Sequence, residues 1–125
     1  MRGDAEGPVP NIRTEIPGPK GKAIVDLDDK YLATVTKSAP LAVERAAGEK
    51  VWDVDGNLFL DFASGVAVMN IGHCHPRVVN AIQEQAGKVM HFAGTDYYYD
   101  VQSRLVERLA KLAPGAGEKK VFLSN

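Results

Sequence analysis

Cysteine is nearly absent: Cys74 stands alone among 125 residues, so no intrachain disulfide can form, as suits a reducing compartment. No apolar stretch approaches the ~20 residues that a membrane helix needs, and no membrane partner is expected. Neither sign of charge dominates. Fifteen basic residues face sixteen acidic ones, with no long local run of Lys and Arg. Nucleic acid is therefore not an expected partner either. The first residues, 1–11, hold Gly, Pro and charge where a signal peptide would hold an apolar core. A cytoplasmic protein is the expectation. What remains is the composition of an ordinary globular domain, 45% hydrophobic and 25% charged.

Along the chain, residues 1–22 read as an arm, because Pro8, Pro10, Pro17 and Pro19 each bias the preceding residue to extended geometry. Residues 24–33 can form a short helix with Ile24, Leu27 and Tyr31 on one face. Three short alternating segments follow, 41–46, 51–54 and 58–62. The first two join through Gly48 and the last two through Asp55-Gly56, a pair that suits a type I′ turn with positive φ at both positions. The expectation is a three-stranded antiparallel meander with Leu58, Leu60 and Phe62 on one face. Pro76 opens a helix with Val79, Ile82, Ala86 and Val89 inward. A second helix runs from about Tyr98 or Asp100 to Leu112, with Val101, Leu105, Leu109 and Leu112 on its buried side. The last residues, 120–125, read as a strand opening an α/β unit.

Four clusters invite a chemical reading. Gly72-His73-Cys74-His75-Pro76 holds metal-binding types, but adjacent positions rarely converge on one ion, and no metal site is expected. Asp53-Val54-Asp55-Gly56-Asn57 lacks the glycine and glutamate spacing of a calcium loop and reads as a hairpin turn. Ser64-Gly65-Val66-Ala67-Val68-Met69-Asn70 places small residues after a strand, where backbone can approach a ligand or simply make a tight connection. Thr95-Asp96-Tyr97-Tyr98-Tyr99 supplies rings and hydroxyls for a pocket or a subunit contact. No nucleophile pair, paired-carboxylate site or phosphate-cradling glycine loop can be assembled, so no catalytic residue is assigned.

Several segments, in order, resemble class-III pyridoxal-phosphate-dependent aminotransferases. They are Val51-Trp52-Asp53-Val54-Asp55-Gly56-Asn57, Leu60-Asp61-Phe62-Ala63-Ser64-Gly65-Val66-Ala67-Val68, Asn70-Ile71-Gly72-His73-Cys74-His75-Pro76 and Lys119-Lys120-Val121-Phe122-Leu123-Ser124-Asn125. Ala93-Gly94-Thr95-Asp96-Tyr97-Tyr98 is most similar to the archaeal branch of 4-aminobutyrate aminotransferases and broad-specificity amino-acid racemases. The resemblance implies an α/β chain, the amino-terminal part of a fold type I transferase, in which a small antiparallel meander and helices lead into a large doubly wound domain. Residues 1–22 would be the arm, 23–70 part of the small domain, and 71–125 the helices and first strand of the truncated large domain. It further implies pyridoxal 5′-phosphate as cofactor, an amino acid and a 2-oxo acid as substrates, and a homodimer.

By the same resemblance, Ser64, Gly65, Val66 and Thr95 would border the substrate, and Asn125 would mark the edge of the cofactor site. None of the lysines matches the family's Schiff-base lysine, which lies far downstream in the family, so the isolated chain is expected to be inactive. A racemase of the same family is one alternative; a non-catalytic remnant or interaction module is another.

Overall fold

Between Asp53 and Leu58 the chain must reverse direction, and the way it does so organises everything upstream. The computed structural model describes residues 8–33 and 37–124. Strands β1 (Val43–Ala47), β2 (Lys50–Asp53) and β3 (Leu58–Leu60) form an antiparallel sheet in the order β1-β2-β3. Val51 pairs with Ala46 on one side and Phe59 on the other, and an irregularity in β1 separates Val43 from Arg45. The meander expected from the sequence is present; the first two strands are shifted by one or two residues, and the third starts at Leu58 as expected but ends two residues earlier.

The β2–β3 turn differs from expectation. Positive φ occurs at Gly56, 84°, and not at Asp55. Gly56 N donates to Asp53 O at 3.1 Å, and Asp53 N donates to Asn57 O at 3.1 Å. The loop is therefore four residues long, with one left-handed glycine instead of the two-residue type I′ turn. The cause is Asp53: its Oδ1 accepts from Asp55 N at 3.0 Å and Asn57 N at 2.8 Å, which rewards the longer loop.

Asn57 is fully buried and satisfied. Its Oδ1 accepts from the backbone N–H groups of Arg13 and Thr14, and its Nδ2 donates to Thr14 Oγ1 and Asp53 Oδ2. Asn11 adds a two-way backbone bridge to Leu58, 2.8 Å in each direction. Residues 11–14 are thus fastened across the sheet end. Asp55 reaches further, accepting from Lys20 N at 2.9 Å and Gly21 N at 2.7 Å. Those amides open helix α1 (Pro19–Tyr31), where a carboxylate satisfies orphan donors and complements the helix dipole. The helix expected over 24–33 consequently starts five residues earlier, because its cap comes from a side chain distant in sequence.

The chain divides into two compact units, one up to Ala81 and one from Ile82. Among the described residues the buried apolar side chains are Val51 and Leu58. Phe62, expected to share a face with Leu58, is 93% exposed, since the chain leaves the sheet after Leu60. Helix α3 (Pro76–Ala86) begins at Pro76 as expected, and α4 (Asp100–Leu112) begins at Asp100. Neither contains a buried residue, so the inward faces expected for them are exposed, as at Ile82, Val101, Leu105, Leu109 and Leu112. The strand expected over 120–125 does not form among its described residues; Phe122 is exposed, and a strand needs a neighbour to pair with. No described helix is long and apolar enough to cross a membrane.

Candidate functional site

After β3 the backbone enters a conformation that few sequences tolerate. Ser64, Gly65, Val66 and Ala67 have φ of 53°, 61°, 61° and 61°, so the one-turn helix α2 (Ser64–Ala67) is left-handed. Glycine accepts this freely, but each of the other three residues pays about 1–2 kcal/mol, and a β-branched valine is a genuine outlier there. Backbone hydrogen bonds from Ala67 N to Ala63 O, and from Val68 N and Met69 N to Ser64 O, at 2.8 to 2.9 Å, close the turn.

The turn is supported from beneath. Asp61 N donates to Glu49 O at 2.8 Å, which keeps Asp61 on the hairpin. Its Oδ1 accepts from Ala63 N at 2.7 Å and Ser64 N at 2.9 Å, and its Oδ2 meets His73 Nε2. An ionised carboxylate only accepts, so Nε2 carries the proton in that contact. The His73 hydrogen bond, then the Ser64 and Ala63 amides, hold the Asp61 carboxyl below its ordinary value of 3.8. His73 is itself fastened at both backbone atoms: its N–H donates to Gly48 O at 2.9 Å, and its carbonyl accepts from Gly48 N at 3.0 Å. Gly72 makes that approach possible, having φ of 89° and room for no side chain, since a Cβ would lie 3.0 Å from Gly48 Cα.

Gly48, Glu49, Asp61, Ser64, Asn70 and His73 line a cavity of about 340 Å³ beside the turn. A second cavity of about 350 Å³ lies between α1 and residues 37–42, with Lys37 and Asp28 3.4 Å apart at its wall, and none of the expected site residues lines it.

The structure therefore brings Ser64, Gly65 and Val66 together on one turn, with Val66 90% exposed. Thr95 belongs to the unit from Ile82, where it sits in a turn closed by Asp96 N and Tyr97 N donating to Ala93 O. The rings of Phe92 and Tyr97 pack there at 5.0 Å, and Tyr98 is exposed. Asn125 lies outside the described residues. Of the histidine cluster, His73 belongs to the support, while His75 Nδ1 accepts from Arg77 N at 3.3 Å in the first turn of α3. Reasoning from the sequence missed the Asp61–His73 pair and the Asn57 hub; twelve and forty-odd residues separate the partners, and no local pattern signals such pairings.

The Asp61 carboxylate and its His73 partner are already engaged at the site. Asp61 already accepts three hydrogen bonds, and no lysine lines the cavity beside it. A pyridoxal phosphate needs an amine for its aldehyde and a cradle for its phosphate. The residues that line this site fit neither requirement.

The model of the aminotransferase class-III family matches residues 31–125. The chain is 45% identical over 84 residues to the 5-aminovalerate aminotransferase DavT of Pseudomonas aeruginosa, covering 67% of this chain and 20% of that protein. It is 38% identical over 103 residues to an acetylornithine aminotransferase of Methanosarcina mazei, covering 82% and 25%. An alanine/serine racemase of Pyrococcus horikoshii is 33% identical over 115 residues, covering 90% and 24%.

Among solved structures, the acetylornithine aminotransferase of Elizabethkingia anophelis superposes with a TM-score of 0.68 at 29% identity, over 74% of this chain and 24% of that one. The taurine:2-oxoglutarate aminotransferase of Bifidobacterium kashiwanohense, solved with PLP and glutamate, gives 0.65 at 29% identity, over 74% and 21%. This chain belongs to the class-III aminotransferases, a family that depends on pyridoxal phosphate. It spans 20 to 25% of the length of the three curated relatives named.

Proposed function

We propose that this chain is the substrate-facing portion of an enzyme that moves an amino group from an amino acid or ω-amino acid, such as 4-aminobutyrate, to a 2-oxo acid through pyridoxal phosphate. The observation that carries this reading is the left-handed turn, hydrogen-bonded to Asp61, which exposes Val66 at the position the family resemblance assigns to the substrate. Backbone strain held in place by surrounding structure is characteristic of binding sites. On this reading Ser64, Gly65 and Val66 border the donor, and the family resemblance assigns Thr95 to the substrate, Asn125 to the cofactor and the intact enzyme to a homodimer. The isolated chain is inactive, because the amine that must capture the cofactor is not among its site residues.

The test uses the full-length protein that contains this chain, loaded with pyridoxal phosphate. 4-Aminobutyrate, 5-aminovalerate and acetylornithine are offered with 2-oxoglutarate, and glutamate formation is followed. Glutamate production from at least one donor supports the reading; none from any donor contradicts it. Racemisation is a second reading, favoured by the racemase relative, whose similarity covers 90% of this chain. Inversion of L-alanine or L-serine without a 2-oxo acid would select it.

A further inference from the structure

We propose that Asp61 and His73 are positioning residues for the substrate: together they lock the left-handed turn whose Val66 side chain meets the donor. The inference rests on the proposed function for what Val66 touches, and on the structure for how Val66 is held. Three observations point the same way. The turn costs conformational energy at Ser64, Val66 and Ala67, so something must hold it. The two amides at its entry, Ala63 and Ser64, both end on Asp61 Oδ1, while Oδ2 is fixed by His73. Beneath them, His73 is tied by two backbone hydrogen bonds to Gly48, so the support runs without a break from the hairpin to the turn.

Exposure separates the two roles. The side chains of Asp61 and His73 are 13% and 19% exposed, whereas Val66 is 90% exposed. The pair is turned inward to hold, and the valine outward to touch. Removing the His73 donor frees one carboxylate oxygen to rotate, and the amides of Ala63 and Ser64 then lose a fixed acceptor. Val66 would move by a fraction of a side-chain length while the reacting groups, located elsewhere, stay put. The expected signature is weaker donor binding with unchanged turnover, because the lost contact is made equally in ground and transition states.

The experiment compares wild type, His73→Leu and His73→Gln in the full-length holoenzyme; the glutamine keeps a side-chain N–H donor at similar reach. His73→Asn, polar but shorter, is a second loss variant should the leucine not fold. Two readouts are taken: amide hydrogen exchange across residues 63–69, and steady-state KM and kcat for the amino donor. The loss variants should speed exchange at Ala67, Val68 and Met69 about tenfold and raise donor KM about tenfold, with kcat within about threefold. His73→Gln should restore both readouts to within about twofold. Unchanged exchange in the loss variants overturns the proposal, and so does faster exchange with unchanged KM. A wild-type enzyme that transfers no amino group overturns the proposed function instead, and exchange still decides whether His73 holds the turn.

Discussion

The hairpin region and helix α4 are built on opposite principles. Around the β2–β3 turn, polar side chains are buried and engaged: Asn57 and Asp53 are both buried, and each has several partners. In α4, the apolar residues Val101, Leu105, Leu109 and Leu112 recur at helical spacing and are exposed, while Arg104 and Lys111 pair with Asp100 and Glu107 four residues back. One region closes on itself through hydrogen bonds between residues far apart in sequence. The other is an amphipathic surface whose stability in this chain rests on local propensity. The difference teaches that geometry precise enough to orient a ligand is found where the chain has crossed itself.

The sharpest way to test that contrast is a pair of matched truncations in the 125-residue chain. Leu58→Ala, at a buried position, should cost about 2–4 kcal/mol by denaturant titration, whereas Leu105→Ala should cost under about 1 kcal/mol. Equal losses would show that α4 is as tightly packed as the sheet. A smaller effect is expected at the helix start. Asp55→Ala removes the acceptor for the Lys20 and Gly21 amides and should cost about 1 kcal/mol, with faster amide exchange confined to the first turn of α1.

A third test uses pH. The Asp61 carboxyl is held below its ordinary value, so its charged form stabilises the turn above the usual carboxylate range. That contribution is lost as pH falls through the lowered value. Amides 63–69 should loosen on acidification below about pH 4, and Asp61→Asn should remove this dependence. Glu49 lines the same cavity, and Glu49→Gln is the control that should leave the acid transition in place.

How much of this was legible in the sequence follows the same division. The meander, Pro76 as a helix start and the amphipathic pattern of α4 all rest on local periodicity and turn chemistry, and all three are present. The Asp55-Gly56 signal located the hairpin but gave the wrong turn, because Asp53 captures amides that a two-residue loop would not offer. The start of α1 was hidden because its cap lies some 35 residues downstream. The small residues Ser64 and Gly65 marked a place where backbone could approach a ligand. Nothing in Ser-Gly-Val-Ala announces four successive left-handed residues, since valine opposes that conformation. Residues 120–124 have the composition of a strand, yet pairing, not composition, makes a strand.

Under the proposed function the left-handed turn serves substrate binding at the expense of stability. Val66→Gly in the full-length holoenzyme separates the two, because glycine relieves the positive φ while deleting the exposed side chain. The expected result is a thermal midpoint unchanged or raised, reflecting about 1 kcal/mol of relieved backbone strain, together with an increased donor KM. A lowered midpoint with an unchanged KM would contradict it, and would make Val66 a residue of the fold, not of the site.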